Sequence, residues 1–206
     1  MTSVERMYGL FKAVEYLIDS NISGDFVECG VWKGGSTMLI ANTLIQLNSN
    51  DRKIYLYDTF EGMPEPTEND YYISNKKTHA VDRWKKQQKQ DINTWCFTPL
   101  TEVKNNMYST GYPKNKIIFI KGKVENTIPK TIPSEIALLR LDTDWYESTK
   151  HELIHLYPLL SKNGVLIIDD YGHWAGAKKA VDEYFSKNFI LLNRIDYTGR
   201  IGIKIK

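Results

Sequence analysis

A chain of 206 residues with 42% apolar content can bury one sizeable core, which predicts a single domain, 1–206, and its 27 basic against 25 acidic residues leave a net charge of +2. That balance argues against nucleic acid as a partner, and with no apolar run near the ~20 residues of a span and no leader pattern at the start, no membrane is expected either. Cys29 and Cys96 supply neither a disulfide framework nor a metal-binding spacing, so a reducing cytoplasm is the expected home.

Taken in order, Val4, Met7, Phe11, Val14 and Leu17-Ile18 recur at helical spacing and predict an amphipathic helix over residues 3–20, within an N-terminal segment 1–22. Ser23-Gly24 then turns the chain into Asp25-Phe26-Val27-Glu28-Cys29-Gly30-Val31-Trp32-Lys33-Gly34-Gly35-Ser36-Thr37, a short apolar strand running into a glycine-rich turn. Gly30 permits a sharp turn, Gly34-Gly35 permit a ligand to approach the backbone, and Ser36 is placed to cap a helix from Thr37 to Leu47. Free N–H groups at that helix start favour an anionic or carboxylate group. Three readings compete for the turn. The phosphate-cradling pattern fits from Gly30 to Thr37 except that Ser36 stands where the lysine belongs, and the dinucleotide pattern fails on the spacing of Gly30, Gly34 and Gly35. Glu28 favours the third: a carboxylate there repels a pyrophosphate but accepts hydrogen bonds from a cationic amino-acid portion such as that of S-adenosylmethionine.

Ile54 to Asp58 reads as a second strand, completing a right-handed βαβ unit with parallel strands. Asp58 lies somewhat farther from Gly30 than the ~20 residues of the dinucleotide pattern but at the topological place that grips a ribose diol. From Phe60 to Pro113 periodicity is poor. Helices are expected at Ala80–Gln90 and Glu102–Tyr108, the basic run Lys85 to Lys89 reads as a solvated helix face, and the whole insertion, about 60–113, is placed to act as a lid over the strand ends. Strands follow at 117–120 and 136–141, then a helix at about 147–157, a turn at Asn163-Gly164 and a strand at 165–168. A helix over about 174–185 precedes two antiparallel strands near 189–195 and 200–205.

Asp142-Thr143-Asp144 and Asp169-Asp170 each follow an apolar strand, and neighbouring parallel strands bring such ends together. Converging carboxylates repel one another and call for a cation. With oxygen ligands only, that cation is Mg²⁺ or a similar hard ion, with Asp142, Asp169 and Asp170 the nearest candidates. The same acidic strand end also suits a phosphate-loop phosphotransferase or ATPase, and a non-catalytic nucleotide-binding module is a third class.

Four stretches now carry a resemblance. Asp25 to Ser36, Tyr57-Asp58-Thr59-Phe60-Glu61-Gly62-Met63-Pro64, Leu141 to Thr149 and Ile168-Asp169-Asp170-Tyr171-Gly172-His173-Trp174 are similar to motifs of the macrocin O-methyltransferase family, in the same order and through nearly the whole chain. The resemblance implies a Rossmann-like class I methyltransferase, with a mostly parallel seven-stranded sheet, an antiparallel last strand and helices on both faces. It implies S-adenosylmethionine and a divalent metal, usually magnesium, acting on a hydroxyl of a sugar or glycosylated small molecule. Glu28, Gly30 and Ser36 would border the methionine part of the cofactor, Asp58 its ribose, and Thr59 and Phe60 its surroundings. Asp142, Asp169 and Asp170 would hold the metal and Asp144 would be the general base, with His173 and His151 as rivals. The stretch from Asp70 to Pro113 matches the family poorly, so its acceptors do not carry over, and a homo-oligomer is left open.

Overall fold

The computed structural model describes residues 2–206, apart from the side chains of Lys76 and Lys77. Its first helix, α1 (Val4–Asp19), begins where the Ser3 hydroxyl accepts a hydrogen bond from the Arg6 N–H, and its apolar stripe buries Leu10, Ala13, Val14 and Leu17. The remaining elements alternate around one sheet. They are β1 (Asp25–Cys29), α2 (Gly35–Gln46), β2 (Ile54–Asp58), β3 (Tyr71–Tyr72), β4 (Asn75–His79), α3 (Ala80–Gln87), β5 (Gln88–Lys89), β6 (Ile92–Asn93) and α4 (Leu100–Ser109) in the first half. The second half adds β7 (Ile117–Lys121), α5 (Val124–Thr127), β8 (Ile136–Leu141), α6 (Tyr146–Leu156), β9 (Leu160–Ile168), α7 (Ala175–Phe185), β10 (Asn193–Arg194) and β11 (Arg200–Ile203).

Seven strands pair in the order β10-β11-β9-β8-β1-β2-β7, and only β11 runs against its neighbours. This is the expected Rossmann-like sheet with its antiparallel last strand. Strand alternation divides the core in two. Phe26, Leu56 and Leu138 face α1, α2 and α4, while Val27, Tyr57, Leu139 and Leu166 face α6 and α7. With both faces covered, β8 is buried along its whole length.

Register sets the site. Cys29 pairs with Tyr57 on one side and with Leu141 on the other, and Leu141 pairs in turn with Ile168. The next residue on each strand is therefore Gly30, Asp58, Asp142 and Asp169, four motif positions at one level of one sheet edge. The Asp142 N–H donates to Cys29 O at 2.8 Å and the Asp169 N–H to Leu141 O at 2.9 Å, so the ladder carries on to the carboxylates.

Several local expectations differ. Ser36 does not cap α2: the cap position is Gly34, left-handed at φ +84°, and Ser36 lies buried in the first turn. Asn163-Gly164 is a bulge inside β9 rather than a turn; Asn163, at φ +64°, donates its N–H to Lys204 O, and the register with β8 shifts there. The strand expected near 189–195 is reduced to Asn193-Arg194, leaving Phe189 and Leu191 exposed at the sheet edge. Within residues 60–113, α4 belongs to the layer against α2, with Val103 and Met107 in the core. The part before α4 sits over the strand ends on a third cluster built from Ala80, Trp95, Trp145, Trp174 and Ala177. Buried Asp70 ties it down, accepting from the Tyr146 N–H at the start of α6 and from Thr67, while the Trp145 indole donates to Pro64 O at 2.9 Å. Among the described residues no helix is long and apolar enough to cross a membrane.

Candidate active site

The carboxyl ends of the parallel strands open into a cleft of about 840 Å³. On its β1 side the glycine turn is tightly constrained. Gly30 sits at φ +82°, and a Cβ there would lie 1.9 Å from Asp142 O, so no side chain fits. Asp58 holds the turn shut. Its Oδ2 accepts from the Val31 N–H at 2.8 Å and the Trp32 N–H at 2.9 Å, and its Oδ1 accepts from the Phe60 N–H at 2.7 Å. These bonds take the Val31 and Trp32 N–H groups that a cradled phosphate would need, which counts against the phosphate-loop reading, and they leave the N–H groups of the first turn of α2 untouched. They also make Asp58 a clamp with little capacity left for a diol.

The acidic wall is organised by a residue the motifs did not single out. Arg140, from the buried middle of β8, donates to Glu28 Oε1, to Asp142 Oδ2 at 2.7 Å and to Asp169 Oδ1 at 2.5 Å. The signal was present: an arginine within an otherwise apolar central strand must be paired once buried. Arg6 of α1, also unanticipated, bridges Asp169 and Asp196. Glu28 Oε2 is buried without a hydrogen-bond partner among the described residues, and Glu28 lines the cleft. Burial pushes its pKa up to about 7 although Arg140 opposes the rise. An orphaned carboxylate oxygen on the cleft wall fits the ammonium group of an amino-acid ligand.

Asp142, Asp169 and Asp170 each offer a carboxylate oxygen, and the three atoms lie within 4.8 Å of one another. Burial, then the charges of their neighbours, raises Asp142 and Asp170 well above the usual carboxylate range. Such a site holds protons unless a cation takes their place, so the donor set fits a hard divalent ion. Asp144 follows at φ +66°, a left-handed turn that sends its N–H to Asp170 Oδ2 at 3.2 Å. Burial and the Asp142 charge raise its pKa to about 7, while the Trp174 side chain hydrogen-bonds to its ionised form. Beneath the turn, wholly buried Glu152 of α6 accepts from the Thr143 hydroxyl at 3.1 Å, a support that only the three-dimensional packing discloses.

The other expected residues separate. Ser36 and Thr59 line the cleft, but the Phe60 side chain is buried in the sheet core and does not. His173 lines it too, with its pKa lowered by burial and by Arg6 and Arg83. His151 does not: its Nε2 is engaged with Ile128 O at 3.0 Å, outside the cleft lining, which counts against it as the base.

A family model described as macrocin O-methyltransferase matches residues 1–201. The chain is 34% identical over 203 residues to the demethyldecarbamoylnovobiocin O-methyltransferase of Streptomyces niveus, covering 98% of this chain and 73% of that one. It is 30% identical over 190 residues to the mycinamicin III 3''-O-methyltransferase of Micromonospora griseorubida, covering 92% and 71%. The structure of the O-methyltransferase NovP is similar at a TM-score of 0.86 and 31% identity, over 99% of this chain and 81% of that one. The calicheamicin methyltransferase CalS11, at 18% identity, shares the fold with a TM-score of 0.70 over 96% of this chain and 77% of that one.

Proposed function

The chain belongs to the macrocin O-methyltransferase family and is an S-adenosylmethionine-dependent O-methyltransferase, and from this premise we propose that it methylates a hydroxyl of a sugar or glycoside with the help of Mg²⁺. The observation that carries the metal and acceptor reading is the triangle of half-buried Asp142 with buried Asp169 and Asp170 on one wall of the cleft, beside the glycine turn and the orphaned Glu28 oxygen.

In this reading Glu28 receives the amino group of the methionine portion, with Gly30 and Ser36 beside it, and Thr59 borders the nucleoside. Asp58 acts on the ribose side chiefly by holding the turn that the cofactor meets. Asp142, Asp169 and Asp170 hold the cation, which when bound supplies Lewis-acid activation and orientation of the acceptor hydroxyl. Asp144 takes the hydroxyl proton: it stands beside the triangle, and an acid with a pKa near neutrality is well matched to general-base work. The stretch from Phe60 to Pro99 covers the reacting groups and excludes water. Both cysteines are unpaired, which supports a reducing cytoplasm.

Transfer of labelled methyl groups to a panel of glycosides, with and without EDTA, tests the reading. Turnover abolished by chelation and restored by added Mg²⁺ is expected; full activity in EDTA would remove the metal from the mechanism.

A further inference from the structure

We propose that the acceptor sugar carries an anionic group, a carboxylate or a phosphate, and that Arg83 receives it; this rests on the sugar-hydroxyl reading above. Arg83 and Gln87 stand one turn apart on α3 and both line the cleft from the cover. The Arg83 guanidinium lies 4.0 Å from the centroid of the Trp95 ring, and its Nη1 is 3.5 Å from the Tyr72 hydroxyl. Stacking of this kind fixes the guanidinium plane and leaves its N–H fork directed away from the ring.

The other arginines in and beneath the cleft are satisfied. Arg6 and Arg140 both meet carboxylates, whereas Arg83 is exposed and, among the described residues, makes no ion pair. Its position belongs to the acceptor side. Trp95 packs edge-on against Trp145 and near Trp174, and Trp174 reaches Asp144, so an aromatic wall runs from the guanidinium to the proposed base. A pyranose lying along the cleft edge of that wall, where Trp95 and Trp174 line it, can present a hydroxyl at one end and an oxyanion at the other. The acidic floor of the cleft repels anions, so an unpaired guanidinium beside it acts as a selector, admitting an anionic acceptor in one orientation. A forked donor suits carboxylate and phosphate alike.

The test compares kcat/KM for labelled methyl transfer to matched series of uncharged methyl glycosides, uronic acid glycosides and sugar 1-phosphates. The wild type should prefer one of the two charged series by about tenfold or more, the size of one additional charge-assisted contact. Which series wins separates carboxylate from phosphate. R83Q should erase the preference, mainly through KM, and R83K, which keeps the charge without the fork, should restore part of it. Equal use of charged and uncharged sugars, or a preference that survives in R83Q, overturns the proposal and leaves sugar methylation standing. No turnover in any series while S-adenosylhomocysteine still binds overturns the sugar reading and this proposal with it.

Discussion

Asp142 and Asp144 are two residues apart, yet their surroundings assign them different tasks. Asp142 continues the β8 ladder and meets Arg140, whereas Asp144 turns out of it at φ +66° toward Asp170 and Trp174. Asp142→Asn should therefore weaken Mg²⁺ binding and activity together. Asp144→Asn, nearly isosteric but without the proton acceptor, should leave S-adenosylhomocysteine and Mg²⁺ affinities largely intact in calorimetry while lowering turnover by about 10²–10⁴, as for a lost general base. Near-normal turnover at saturating metal would pass the role to His173, the histidine that does line the cleft. The acids were legible because each ends an apolar run, which in a parallel sheet means the ligand edge. Arg6 and Glu152 were not: each sits on a helix where a charge reads as solvated, and only packing brings it beneath Asp169 or Thr143.

At the scale of elements, the strand–turn–helix of β1 and α2 is held by a carboxylate from β2. Three backbone N–H groups converge on Asp58, so the turn is set before any ligand arrives. Asp58→Asn keeps the shape but puts an amide group where an acceptor is needed. Each such bond contributes about 1.5–3 kcal/mol with a charged acceptor, so the variant should lose at least that much stability in denaturant unfolding and bind S-adenosylhomocysteine at least tenfold more weakly. Unchanged binding would show that the turn does not depend on the clamp. The sequence placed the apolar stretch of every strand of the parallel core, because buried runs in such sheets are continuous, and it missed only the polar first half of β9, where a bulge reads as a turn. The cover resisted reading, since its two-residue hairpins and its Asp70 anchor depend on contacts with α6 and the loop before α7 that no local pattern encodes.

For the whole molecule, burial of acids at one edge couples stability to pH. The pKa of Glu28 is raised to about 7 in the folded protein from 4.5, so the fold favours its protonated form. Its contribution to stability is complete below the unfolded value and is lost as pH rises through about 7. In the absence of ligand and metal, the Glu28 contribution should make the melting temperature fall between about pH 4.5 and pH 7, the unfolded and folded values of its carboxyl. Glu28→Gln should flatten part of that fall, because the titrating group is gone. A slope unchanged by the substitution would show that Glu28 does not ionise in this range.

The arginine-braced acidic wall has a further consequence for the order of events in a catalytic cycle. Among the described residues Arg140 and Arg6 bond to Glu28, Asp142 and Asp169, while Asp144 and Asp170 have no cation bonded to them, so the ionised wall carries an excess of negative charge. A divalent ion and a sulfonium would each offset part of that excess. Methyl transfer discharges the sulfonium, and the proton released by the acceptor restores the balance if Asp144 keeps it. Departure of that proton then becomes the reset of the enzyme: until Asp144 is ionised again, the next sulfonium enters a pocket that is one negative charge short.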